Sequence, residues 1–199
     1  MDAFNLLKTD HRKVEELFSE LETARGQAKL RVFEQIKTEL DLHAELEEKL
    51  FYPALEKPQQ THDLTLEAYE EHAVVKNLLR QLSRGKTADD EWQAQVKVLQ
   101  ENVEHHVEEE ENELFKKAKA ALSREEIDEL GELMAAEKNR KQRTAAKGGA
   151  KKSASASKSA AKTKSASTAQ KRTRSAKKGG SKKAASGTKS RSKKSAKKK

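Results

Sequence analysis

Four stretches of this chain carry apolar side chains at three- and four-residue spacing, and a histidine interrupts each stripe. Leu7, His11, Val14, Phe18 and Leu21 share one face of the first, and Phe33, Ile36, Leu40, His43, Glu47 and Leu50 one face of the second. The third presents Tyr69, His72, Val75, Leu79 and Leu82, and the fourth Trp92, Val96, Leu99, Val103, His106, Glu110 and Leu114. This spacing is that of amphipathic helices. It predicts helices over residues 3–24, 28–51 and 63–83, and a fourth opening at Thr87 as N-cap with Asp90 in the reciprocal position. Gly26, Pro53 and Gly85 supply the breaks. A shorter helix follows Ser123, with Glu126 completing a capping box and Ile127, Leu130 and Leu133 facing inward. The expected fold is all-α: an antiparallel up-down four-helix bundle, a short fifth helix and a disordered basic tail.

Charge sets the organisation along the chain. Met134 is the last large apolar residue and Glu137 the last acidic one. Beyond Glu137 come 24 Lys and Arg, which leaves 18 basic against 33 acidic residues in the preceding part, a formal charge of −15. A core cannot form from Lys, Ala, Ser and Gly alone, and like charges repel. The expected units are a bundle over residues 1–120, a short helix over 121–138 and a disordered tail over 139–199. The absence of cysteine excludes disulfides and thiolate metal sites. The N-terminus has no basic, apolar leader, and no stretch approaches the ~18 apolar residues of a membrane span. These features predict a cytoplasmic protein with no membrane partner.

The interrupted stripes carry the chemistry. His43–Glu47 and His106–Glu110 are spaced i,i+4, so each pair projects from one helix face. "DH" at 10–11 and "EH" at 71–72 precede them, so the chain reads as two helix pairs, each supplying His and then His-x-x-x-Glu. Related by a pseudo-twofold axis, the pairs bring four imidazoles and two carboxylates together. Uncompensated buried carboxylates are costly and repel one another, and a cation removes that cost. With nitrogen and oxygen ligands only, iron, manganese and zinc are all admissible, and six ligands on four helices suit two carboxylate-bridged ions better than one tetrahedral zinc. The Glu-x-x-His pattern of ferritin-like di-iron bundles is absent, because Lys8, Leu40, Gln59, Tyr69, Asn102 and Val103 stand three residues before the histidines. His105 is rotated ~100° from His106 and misses the stripe, and His62 falls in a turn.

The segments "DHRKVEELF", "HAELEEKLFYP", "EHAVVKNLL" and "HHVEEEENELF" resemble the hemerythrin family, specifically its bacterial HHE cation-binding branch. The resemblance implies a non-haem, carboxylate-bridged centre of two irons that handles dioxygen, peroxide, nitric oxide or iron. It implies His11, His43, His72 and His106 as terminal ligands and Glu47 and Glu110 as bridges. Tyr69, Lys76 and His105 are candidates for the shell around them. Oxygen-carrying members have a further histidine one turn after the third-helix histidine, where this chain has Lys76. That departure shifts expectation away from simple oxygen carriage.

The tail is similar to those of linker histones and lysine-rich nucleoid proteins. It has no aromatic residue to stack on bases, so sequence-independent binding to nucleic-acid phosphates is expected. Lys171, Arg172, Arg174, Lys177, Lys178, Arg191, Lys193 and Lys194 form its densest clusters and point to nucleoid association. The leading expectation is a metal-binding sensor or iron-handling protein with a nucleic-acid-binding arm. The alternatives are a di-iron enzyme of peroxidase or oxidase type, and an architectural nucleoid protein with a structural bundle.

Overall fold

The computed structural model describes residues 1–85 and 88–144. The basic clusters named above, and Thr87, lie outside the described residues. Helix α1 (Ala3–Thr23) opens at Asp2, whose carboxylate accepts from the Asn5 amide at 2.8 Å. Gly26, at φ +55°, turns the chain into α2 (Gln27–Leu46), in a region of backbone space that a side chain would disfavour. Pro53 does not stop that rod. A π turn (Glu47–Phe51) and a short α3 (Tyr52–Leu55) continue it, with the proline in the first turn of α3, where a missing N–H is tolerated.

Helix α4 spans Gln59–Leu82 and α5 spans Asp90–Glu109. The α5 cap is Asp89, whose Oδ1 accepts from the Trp92 amide at 2.9 Å. A second π turn (Glu110–Leu114) and α6 (Phe115–Ala121) extend α5 as α2 is extended. Helix α7 covers residues 124–144. Ser123 and Glu126 form the expected capping box: the Ser123 amide donates to Glu126 Oε2 at 2.8 Å and the Glu126 amide to Ser123 Oγ at 3.2 Å. Among the described residues there is no strand, and no helix is long and apolar enough to cross a membrane.

Two apolar clusters fill the bundle. One joins Val14–Leu21, Val32–Leu40, Val75–Leu82 and Trp92–Val103, with Phe33 edge-on to Trp92 at 5.4 Å between centroids. The other joins Ala3–Leu7, Leu46–Leu55, Leu114–Ala118 and two α7 side chains, Ile127 and Met134. On every long helix the histidine falls between the two clusters, so the polar layer is enclosed by apolar packing on both sides.

The phase of two faces differs from the periodic expectation. Leu50 is half-buried, whereas Phe51 and Tyr52 are fully enclosed. The π turn inserts one residue into the helical register and rotates everything after Glu47 by ~100°. On α7, Leu130 is half-buried and Leu133 exposed, while Ile127, Gly131 and Met134 form the docked face. Helix α7 also runs six residues past 138, through residues of good helix propensity. There Arg140 pairs with Glu137 at 2.5 Å and Lys141 reaches Glu45 at 2.6 Å.

Gly131 is what lets α7 approach the N-terminus. A Cβ there would overlap the Met1 carbonyl and stand 2.6 Å from backbone atoms of Asp2 and Ala3. Gly131→Ala is expected to cost ~1–3 kcal/mol through forced displacement. Thermal unfolding followed by circular dichroism checks this: the Tm should fall by ~3–10 °C, and an unchanged Tm would refute the close contact.

Candidate metal centre

Each long helix projects one imidazole into the polar layer, and the four converge in pairs. His11 Nε2 lies 3.2 Å from His43 Nε2, and His72 Nε2 lies 3.2 Å from His106 Nε2. The glutamate one turn after His43 joins the two pairs, with Glu47 Oε2 3.1 Å from His43 Nε2 and 3.3 Å from His72 Nε2. Glu110 Oε2 lies 3.3 Å from His11 Nε2. Potential ligand atoms of His11, His43, Glu47 and Glu110 therefore gather within 4.8 Å, as do those of Glu47, His72 and His106. Glu47 belongs to both groups and Glu110 to the first. All six residues are buried.

Whether a cation fits is answered by the carboxylates. Glu47 has no exposed surface and Glu110 2%, yet none of their four oxygens receives a hydrogen bond. Burial, reinforced by the neighbouring charge of Glu110, pushes the Glu47 carboxyl well above its ordinary range. Burial acts against Glu110 too, but the His11 ring beside it holds that carboxyl down at about 2, so both carboxylates stay ionised in the apolar layer only with positive charge next to them. Burial also pulls His43 down to about 4, which keeps it neutral and able to act as a ligand. For His11 burial acts in the same direction, but the Glu110 carboxylate 3.3 Å away outweighs it and raises the ring to about 9. A cation has to displace that proton. The donor set of imidazoles and carboxylates suits iron, manganese or zinc.

The outer nitrogens show a second level of order. Glu111 Oε1 lies 2.8 Å from His11 Nδ1, Glu48 Oε1 3.0 Å from His72 Nδ1, and Glu71 Oε2 2.7 Å from His106 Nδ1. Each carboxylate fixes its ring with Nε2 turned inward. Asp10 Oδ2 stands at His43 Nδ1 in the same sense, but at 3.8 Å. Lys8 holds Glu111 at 2.9 Å, and Lys76 holds Glu48. Lys76 thus acts on a carboxylate behind His72. Glu48 and Glu111 stand in the sequence within runs of glutamate. Asp10 and Glu71 were visible only as the first letters of the repeated "DH" and "EH".

Tyr69 sits outside the layer, donating to Glu56 at 2.8 Å and packing edge-on against Tyr52. Tyr52 is the aromatic that enters, its hydroxyl 3.4 Å from His72 Nε2. The π turn rotates it there, a rotation for which the apolar periodicity holds no signal. His105 is exposed and lies 3.4 Å from Glu109 and 3.8 Å from Glu71. These three form a surface cluster, with Glu71 already engaged by His106. His62 lies in the first turn of α4 and not in a connecting turn, with its Nδ1 2.9 Å from the Glu56 carbonyl, away from the layer. On the other side of the histidines lies a small chamber walled by Val14, Leu40, Val75, Leu79 and Val103, with Lys76 at its edge.

Residues 2–118 match the hemerythrin HHE cation binding domain. The crystal structure of a hemerythrin HHE cation binding domain-containing protein from Mycobacterium kansasii superposes with a TM-score of 0.63 at 26% identity, covering 70% of this chain and 86% of that one. A Nostoc sp. protein named DNA nickase is 33% identical over 130 residues, which make up 65% of this chain and 37% of the Nostoc protein. This chain therefore spans well under half the length of that relative. It belongs to the hemerythrin HHE cation-binding domain family.

Proposed function

We propose that the bundle holds two non-haem iron ions. His11, His43, Glu47 and Glu110 bind one, and His72, His106 and Glu47 bind the other, with the Tyr52 hydroxyl beside the second group. The observation that carries this reading is the set of four buried carboxylate oxygens without a hydrogen-bond donor. Such a pair of ions supplies reversible one-electron chemistry and open positions for small oxidants and gases. The chain's own residues do the rest. Glu48, Glu71 and Glu111 hold the rings in the ligating tautomer. The apolar chamber excludes water and favours small uncharged molecules such as dioxygen, nitric oxide or peroxide. Position 76 provides a tethered ammonium instead of an imidazole, which favours oxidant or nitric oxide sensing, or iron handling, over oxygen carriage.

The second part of the proposal concerns the lysine-rich tail. Its charge suits sequence-independent binding to nucleic-acid phosphates, which would bring the iron centre to the nucleoid. One specific observation favours a second reading, in which the centre acts on nucleic acid: the likeness to the Nostoc protein named DNA nickase.

Iron analysis of the purified full chain should give about two ions per chain, and because Glu47 is shared, Glu47→Ala should lose most of both while Glu110→Ala keeps about one. Full occupancy in both variants would refute the ligand assignment.

A chain ending at residue 144 should keep its iron and lose nucleic-acid affinity. If roughly ten tail charges neutralise duplex phosphates, log K for the full chain should fall against log salt with a slope of about −9. Binding by the shortened chain as tight as by the full one would remove the tail from the proposal. Incubating the iron-loaded protein with supercoiled plasmid tests the second reading: nicked circles should appear with wild type and fail to appear with Glu47→Ala. No nicking by wild type would eliminate that reading.

A further inference from the structure

The family match ends at residue 118, but α7 continues to cover the bundle. Its docked face runs from Ile127 through Gly131 and Met134 to Lys138. Lys138 Nζ pairs with Asp10 Oδ1, and both side chains are largely enclosed. Asp10 is the carboxylate that stands behind His43. At 3.8 Å its other oxygen is beyond hydrogen-bond reach of His43 Nδ1, which is buried and has no hydrogen-bond partner among the described residues. The outer nitrogens of the other three histidines all have a carboxylate within 3.0 Å.

The pseudo-twofold repeat supplies an internal comparison. Glu71 precedes His72 as Asp10 precedes His11, and Glu71 lies 2.7 Å from the Nδ1 of the imidazole across the bundle, His106. Among the described residues no lysine pairs with Glu71; its other neighbour in the surface cluster is His105, at 3.8 Å. A lysine alone does not break such a bond, since Glu111 and Glu48 keep their rings while paired with Lys8 and Lys76; Asp10 differs in being one methylene shorter, with an ammonium from α7 on its first oxygen.

We propose that Lys138 is a positioning residue for the metal centre: by drawing Asp10 to α7 it withholds from His43 the carboxylate hydrogen bond that the other three histidines have. This rests on the di-iron reading above. A carboxylate on Nδ1 raises the basicity of Nε2 and fixes the ring, so His43 is the weakest imidazole donor of the four and its ion the more labile. Without Lys138, the buried Asp10 carboxylate has His43 Nδ1 as its other neighbouring donor among the described residues, and leaving it unpaired is costly. An element outside the family domain thereby tunes one of the two ions. Lys141, one turn on, pairs with Glu45 at 2.6 Å on the outside of α2 and serves as a control.

The test uses the full-length, iron-loaded protein, with iron removal by a chelator and the reduction potential as readouts. Lys138→Met should slow loss of the first iron by ~10-fold and shift the potential to more negative values, because a more basic imidazole favours the ferric state. Lys138→Leu, which also lacks a donor but fills the site differently, guards against a packing defect and should behave alike. Adding Asp10→Asn to Lys138→Met should abolish the slowing, and Lys141→Met should match wild type. Iron loss in Lys138→Met and Lys138→Leu at the wild-type rate with an unchanged potential would overturn the proposal. Faster loss would overturn it too, since that is what a purely structural role for Lys138 produces. A wild-type chain that takes up no iron would instead refute the di-iron reading on which the proposal stands.

Discussion

Glu47 is buried between imidazoles from both helix pairs, and its unpaired oxygens set the terms for the rest of the bundle. A carboxylate in that position needs positive charge around it. The fold surrounds it with histidines from α1, α2, α4 and α5, and each histidine has a carboxylate behind it. Three of those carboxylates are held in turn by lysines: Glu111 by Lys8, Glu48 by Lys76 and Asp10 by Lys138. Basic and acidic side chains alternate outward from the centre through three layers. The strongly acidic composition of residues 1–137 is therefore partly structural, since the carboxylates behind the rings belong to the same runs that look like a solvated face.

Apolar packing supplies the rigidity that this arrangement requires. The two clusters grip every helix on both sides of its histidine, and aromatic rings back two of them: Phe115 lies 6.4 Å from His11 and Tyr52 5.4 Å from His72 between centroids. Side chains in such surroundings hold their rotamers, and carboxylate hydrogen bonds then select the tautomer. The aromatic residues below the layer are concentrated where the two π turns end, and the aliphatic chamber lies above it. One side of the centre is thus filled, while the other leaves room for a small molecule.

Much of this could be read from the sequence, for a definite reason. A polar residue on an otherwise apolar stripe is conspicuous, and His11, His43, Glu47, His72, His106 and Glu110 all stand on such stripes. The structure brings those six together. The carboxylates behind the rings were harder to read because their partners lie on other helices: Glu48 reaches from the α2 rod to α4, and Glu111 from the α5 rod to α1. In an acidic run nothing distinguishes a residue that crosses to a neighbouring helix from one that faces water. Lys76 reads in the sequence as a missing imidazole; in the structure it pairs with Glu48 behind His72. The docked face of α7 departs from the apolar pattern because Leu130 and Leu133 outweigh a glycine in any count of apolar residues, and Gly131 makes its contact by having no side chain.

The paired π turns also bear on how the family domain can change. Each adds one residue to a helix immediately after the position occupied by Glu47 or Glu110, and everything downstream is wound into place by that addition. Substitutions in these turns alter one side chain at a time. Loss of a single residue would return the rod to ordinary α register and carry Phe51 and Tyr52, or Leu114 and Phe115, round the helix axis together. The ligands upstream would keep their places while the floor beneath them turned away. Insertions and deletions in these two segments thus act as a coarse adjustment of the centre, separate from the fine adjustment made by individual side chains, and the second half of the repeat allows one rod to be altered while the other keeps its original register.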